Sequence, residues 1–179
     1  MTQMKKDNME TKVINFFAGP GAGKSSVSSH LFSLLKHEGR NVELVTEFAK
    51  DIVWEESFKV LKDQVYLFGT QYHRLWRLLG KVEYIITDSP LLLNLWYGKD
   101  MPHSFSELVL DLYKEMDNIN IFLHRTKPYN PNGRMQTEQE AKEYDVHIKQ
   151  LLNIHNIPMI DIVSDQFAAD KIKSILKES

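Results

Sequence analysis

An apolar run, Val13–Phe17, leads into Ala18-Gly19-Pro20-Gly21-Ala22-Gly23-Lys24-Ser25-Ser26. Glycines at this density let the backbone turn until successive N–H groups face one point, and such a concavity binds an anion. The spacing is that of a phosphate-binding loop, with Ala18 where the first glycine usually stands. Gly19, Gly21, Ala22 and Gly23 would wrap a polyphosphate, helped by the first amides of a helix opening at Lys24, Ser25 and Ser26. Lys24 would reach the β- and γ-phosphates of ATP. The Ser25 hydroxyl would hold Mg²⁺, a hard cation that prefers oxygen ligands. The plainer alternative is a glycine turn between a strand and a helix.

Two carboxylates stand where such a site needs them. Asp88 ends the run Tyr84-Ile85-Ile86-Thr87 and could take the metal directly or through water; as Asp-Ser-Pro it is also good turn chemistry. Ser89 follows it, so the second acid that polarises water in hydrolytic motors is missing, which favours transfer to another acceptor. Glu47 follows Val42–Thr46 and could orient, or take a proton from, an acceptor hydroxyl. Otherwise it is a helix-start carboxylate favoured by the dipole. Asp51 and Glu55, each one turn further on, could substitute for it.

Charge spreading over a transferring phosphoryl group calls for a cation beyond Lys24, brought in as water is excluded. The segment His124–Gln136 offers Arg125, Lys127 and Arg134 among Pro, Asn and Gly, which reads as a lid over about 125–137. Arg134 is the first candidate to close over the phosphates and Arg125 the second. Gln64, Gln71 and Arg74, with Tyr72 and Trp76 nearby, read as the non-core side of a helix. They suit a flat hydrogen-bonding acceptor or a solvated face. The seven histidines have no metal spacing.

The elements that must position these residues alternate. Apolar runs at 13–18, 42–46, 84–87, 119–123 and 159–163 read as strands. Helical spacing follows the glycine loop to Gly39, runs from 63 to 79 before Gly80, and recurs before and after the lid and at about 165–177. Residues 47–60 read as a broken helix. Val65, Phe68, Tyr72, Leu75 and Leu79 form one expected core face; Leu108, Leu112 and Met116 form another, behind a capping box of Ser104 and Glu107. Thr137 and Glu140 give a second capping box. Alternating strands and helices imply an α/β fold with parallel strands and helical crossovers. Ligands in such sheets gather at the carboxyl ends of the strands. The glycine loop, Glu47, Asp88 and Arg125 all fall there.

The chain has 179 residues, 42% hydrophobic and 26% charged, with net charge −2 and no cysteine. That fits one domain at 13–179 behind a loose polar tail at 1–12. It excludes disulfides and thiolate chemistry, supplies no global pull toward nucleic acid, and suits a reducing cytoplasm. No apolar stretch approaches the roughly 20 residues that span a bilayer. The oligomeric state is not legible.

The stretches AGPGAGKSS, VTEFAKD, TDSPL and HRTKPYNPNGRMQTEQEA together resemble the small P-loop kinases. Among these the chain is most similar to the kinase-like ATPases, of AAA type, grouped with the bacterial nicotinamide-riboside kinase domain. Many of that group are phage proteins, including kinases of 5-hydroxymethyluracil in phage DNA. The resemblance implies a three-layer αβα sandwich on a five-stranded parallel sheet, with the Asp88 strand beside the loop strand. It implies ATP and Mg²⁺ at the loop, Glu47 close to the acceptor, Asp88 near the metal or the acceptor hydroxyl, and Arg134 or Arg125 as lid cations. The implied acceptor is a nucleoside, a nucleotide or a hydroxymethylated base in DNA, in a host cytoplasm if the protein is a phage's. Arg74, Arg77, Lys81 and Lys99 would supply a local basic face for DNA. The alternatives are an ATP-hydrolysing module, or a nucleotide switch acting on a partner. A guanine switch would need an Asn-Lys-x-Asp reader, and the chain has none.

Overall fold

The structure, a computed structural model, describes residues 9–126, 129 and 137–178. Lys127, Arg134 and most of the expected lid therefore lie outside the described residues. Five strands form one parallel sheet: β1 (Lys12–Phe17), β2 (Val42–Val45), β3 (Tyr84–Thr87), β4 (Asp117–His124) and β5 (Ile160–Val163), in the spatial order β2-β3-β1-β4-β5. Between them run α1 (Lys24–His37), α2 (Phe48–Trp54), a 3₁₀ turn (Val60–Lys62), α3 (Gln64–Trp76), α4 (Leu93–Tyr97), α5 (His103–Lys114) and α6 (Glu138–Ile154), and α7 (Ala168–Glu178) closes the chain. This is the expected three-layer sandwich, with β3 beside the loop strand as the resemblance implied.

The period of two in a strand splits the core into two layers. On one face Val13 and Phe17 of β1 and Phe122 of β4 pack with Phe68, Leu75, Val109 and Leu152 from α3, α5 and α6. On the other, Ile14, Phe16 and Ile121 pack with Leu31, Leu35 and Ile172 from α1 and α7. β1 lies between β3 and β4 and pairs with both. Its Val13, Ile14, Phe16 and Phe17 are fully buried, as a central strand covered on both faces must be. Asn15 and Asn120 are register partners; their side chains bond at 3.2 Å, and the Tyr113 hydroxyl donates to Asn120 Oδ1 at 2.8 Å.

Some elements differ from the sequence reading. Thr11 is already buried, donating to the Val82 carbonyl at 2.6 Å, and β1 begins at Lys12, so the fold reaches into the expected tail. In α5 no capping box forms: Pro102 precedes the first turn, and no side chain caps it. The buried stripe is Phe105, Val109 and Tyr113, while Leu108 points outward at 47% exposure. In α3 the stripe is Leu67, Phe68, Gln71 and Leu75, with Val65 exposed. Gln71 is buried rather than solvated, accepting from the Phe48 amide at 3.0 Å where it lines a cavity outside the apolar core. A short helix, α4, stands where only an apolar run was legible. The second capping box forms as expected: Glu140 N–H donates to Thr137 Oγ1, and Thr137 N–H to Glu140 Oε2 at 2.6 Å. Among the described residues no helix is long and apolar enough to cross a membrane.

Candidate active site

The chain leaves β1 at the carboxyl edge of the sheet and turns through Gly19–Gly23 into α1. Gly21 and Gly23 carry φ of 80° and 97°, the left-handed region that glycine enters without strain. A Cβ on Gly23 would also stand 2.6 Å from Ser164 Oγ. The first amides of α1 have no partner within the helix and face the loop, which makes its mouth electropositive. Lys24 Nζ donates to the carbonyl of Ala18 at 2.7 Å and of Gly19 at 3.3 Å. Burial holds its ammonium below the ordinary lysine pKa, against the upward pull of Glu47, Asp88 and Asp145.

Asp88 sits just past β3 and is 5% exposed. Ser25 Oγ donates to its Oδ2 at 2.6 Å, while Oδ1 is buried with no hydrogen-bond partner among the described residues. A buried carboxylate oxygen left unpaired is costly. A divalent cation beside Ser25 would satisfy it, and Mg²⁺ accepts one carboxylate and one hydroxyl alongside phosphate oxygens. The residues present therefore fit that ion.

Glu47 precedes α2 in an extended conformation, and its side chain caps nothing. It faces the same cavity as Lys24, Ser25 and Asp88, a hollow of about 570 Å³. Desolvation pushes its carboxyl above the ordinary glutamate pKa; Lys24 opposes the shift and Asp88 adds to it. The other candidates fall away from the cavity. Asp51 is bound to Arg74 at 2.8 Å, and Glu55 follows the last turn of α2. The same hollow is lined by Phe48, Trp54, Gln64, Gln71, Asn94 and Tyr97. Tyr97 remains 47% exposed where it borders the hollow.

The expected basic face is not a free set of cations. Arg74 is held by Asp51 and lies over the Phe48 ring at 4.9 Å, Lys81 donates to the Arg77 carbonyl at 2.8 Å, and Lys99 sits over Trp96 at 5.8 Å. Arg125 is likewise engaged outside the cavity, with Asp145 of α6 and the carbonyl of Pro20. Sequence reasoning missed Phe48, Asn94, Tyr97 and Asp145. The first three sit in apolar or amphipathic runs that read as packing. Asp145 lies on the polar side of a helix, with no local pattern to mark it.

The sequence matches a family described as an AAA domain over residues 13–169. No curated protein sequence matches the chain. Among solved structures, the NadR protein in complex with NR superposes with a TM-score of 0.62 at 16% identity, covering 88% of this chain and 45% of that one. The same protein with NAD and AMP-PNP gives 0.67 at 15%, covering 93% and 49%. The chain thus spans about half the length of the NadR chains. Thymidylate kinase from Ehrlichia chaffeensis gives 0.60 at 14% identity over 93% of this chain and 99% of its own. Deoxyadenosine kinase from M. mycoides, with dCMP and dCDP bound, gives 0.55 at 17% over 93% and 100%. At such identities the likeness is one of fold. By the span of the sequence match, the chain belongs to the AAA-domain family.

Proposed function

We propose that the chain is an ATP-dependent phosphotransferase acting on a hydroxyl of a nucleoside or nucleotide. The observation that carries this reading is one hollow lined both by the phosphate loop with Lys24, Ser25 and Asp88 and by a glutamate that caps nothing, Glu47, among aromatic and amide side chains. Its size is that of a small-molecule site. Solved kinases of nucleosides and nucleotides with the same fold support it.

In this reading Gly19, Gly21, Ala22, Gly23, Ser25 and Ser26 hold the phosphates through the loop and the start of α1. Lys24 gives up the carbonyls of Ala18 and Gly19 and turns to the β- and γ-phosphates. Ser25 and Asp88 would hold Mg²⁺, which would neutralise phosphate charge. The acceptor oxygen attacks the γ-phosphorus, the bond to the β-phosphate oxygen breaks, and ADP leaves. The acceptor proton passes to Glu47, or to Asp88 in the alternative assignment; a carboxylate of raised pKa suits the task. Arg134 is proposed as the cation that closes over the transferring group, and Arg125 as a support of the loop that adds positive potential. Residues 13–179 act as one domain with the lid at about 125–137, in a cytoplasm that supplies ATP.

The narrower acceptor that the sequence resemblance suggests is a hydroxymethylated base in phage DNA. The pairing of Arg74 with Asp51 and the net charge of −2 favour the small acceptor.

The test is ADP release with labelled ATP, over a panel of nucleosides, nucleotides and DNA bearing 5-hydroxymethyluracil. One small acceptor should stimulate turnover and take the label. Lys24→Ala should lower transfer by about 100-fold or more, the scale of losing one preorganised donor. Arg134→Ala should lower turnover more than ATP affinity. Steady, acceptor-independent hydrolysis would favour the ATPase reading, and an unchanged rate in Lys24→Ala would refute the site.

A further inference from the structure

Asp145 lies on α6, outside the hollow, yet both its oxygens are engaged at the phosphate loop. Oδ1 accepts from the Gly19 amide at 2.5 Å, and Oδ2 accepts from Arg125 Nε at 2.7 Å and lies 2.6 Å from a second guanidinium nitrogen. Arg125 in turn donates to the carbonyls of Pro20 at 3.2 Å and Ala141 at 3.0 Å. Two consecutive loop residues are thereby tied to one turn of α6, Gly19 through its N–H and Pro20 through its C=O. The approach leaves no room for a side chain: a Cβ on Gly19 would stand 2.4 Å from the Ala141 oxygen. The pair is largely withdrawn from water, with the two side chains 15% and 20% exposed. Removing one partner therefore strands a charge, unlike the loss of a solvent-washed ion pair.

The neighbouring residue of the same helix faces elsewhere. The ring of Tyr144 meets Tyr97 at 6.4 Å between centroids and Trp96 at 5.9 Å, and His147, one turn on, stacks on Trp96 at 4.4 Å. Tyr97 lines the hollow, where the proposed acceptor would sit. Successive helical residues project in different directions, so α6 meets the loop through Asp145 and the Cβ of Tyr144, and meets Tyr97 and Trp96 through the Tyr144 ring.

We propose that Asp145 is a positioning residue that fixes the phosphate loop to α6, so that nucleotide in the loop is sensed at the aromatic wall of the acceptor groove. This rests on the reading of the loop as a nucleotide site. The full chain with Trp54→Phe and Trp76→Phe leaves Trp96 as the only tryptophan, and magnesium–ADP is the probe. Titration should change Trp96 emission. Asp145→Asn keeps the volume but sets an amide donor against Arg125. It should weaken magnesium–ADP by about tenfold, or roughly 1.4 kcal/mol, and abolish the emission change at saturating nucleotide. Asp145→Ala should do the same, and the double variant with Arg125→Ala should bind no more weakly than either single one, since the residues act as a unit. Tyr144→Ala should lose the emission change while keeping nucleotide affinity, a split that general destabilisation would not produce. If Asp145→Ala does not fold, Asp145→Asn decides. Wild-type affinity or a retained emission change in Asp145→Asn overturns the inference alone. Failure of the parent chain to bind magnesium–ADP overturns the nucleotide-site reading as well.

Discussion

Glu47 is a residue placed at a cost. It starts a helix but caps nothing, and it sits in a hollow where its carboxylate has lost water. A carboxyl whose folded pKa lies above its unfolded one adds stability fully only below the unfolded value, and that contribution is lost as pH rises through the folded value. Glu47→Gln, which carries no charge, should therefore melt a few degrees above the wild type at neutral pH. The gap should close as pH falls from the raised folded value to the ordinary glutamate one, as read by thermal unfolding followed by circular dichroism. The same variant should lose most phosphoryl transfer if Glu47 takes the acceptor proton, a trade of activity for stability. A neutral-pH melting point at or below that of the wild type would show that the carboxylate is not strained.

At the scale of elements, α6 has the best-defined start in the chain. Thr137 and Glu140 exchange hydrogen bonds there, and those bonds hold the Glu140 carboxyl below its usual pKa. Thr137→Ala should cost about 1 kcal/mol, lowering the melting point by roughly 2–4 °C in a chain of this size. Because the Glu140 pKa is depressed, the loss should shrink as pH falls through its folded value; a constant loss would place the effect elsewhere. This cap was legible because its signals lie three residues apart. The five strands were legible too, as apolar runs between turns. The phase of α5 was legible only in part: Leu112 and Met116 pack on the core as expected, but Phe105, Val109 and Tyr113 lead the buried face and Leu108 is turned out. What the sequence did not show of Gln71 is its burial: the amide lines the hollow but is held by backbone groups of Thr46 and Phe48. The loop, Asp88 and Glu47 stood out because each ends a strand. Asp145 could not, since its bond to Gly19 joins positions 126 apart and exists only once the sheet has formed.

For the whole molecule, the loop, α1, β3 and α6 converge on one end of the sheet, so a ligand there should brace the entire domain. Magnesium–ATP at 100 times its dissociation constant should stabilise the fold by about 2.7 kcal/mol. That is a rise in melting point of roughly 5–10 °C for a chain of this size. Lys24→Ala should show little of it. Differential scanning fluorimetry checks both, and equal shifts in the two proteins would mean that the nucleotide sits elsewhere.

The central position of β1 bears on how the chain is made. Its hydrogen-bonding partners, Tyr84–Thr87 and Asp117–His124, leave the ribosome some seventy and a hundred residues after it. Until they arrive, Val13, Ile14, Phe16 and Phe17 have nothing to pair with, and the nascent strand is an adhesive segment awaiting its neighbours. An unpaired apolar strand of this kind exposes a chain to aggregation during synthesis.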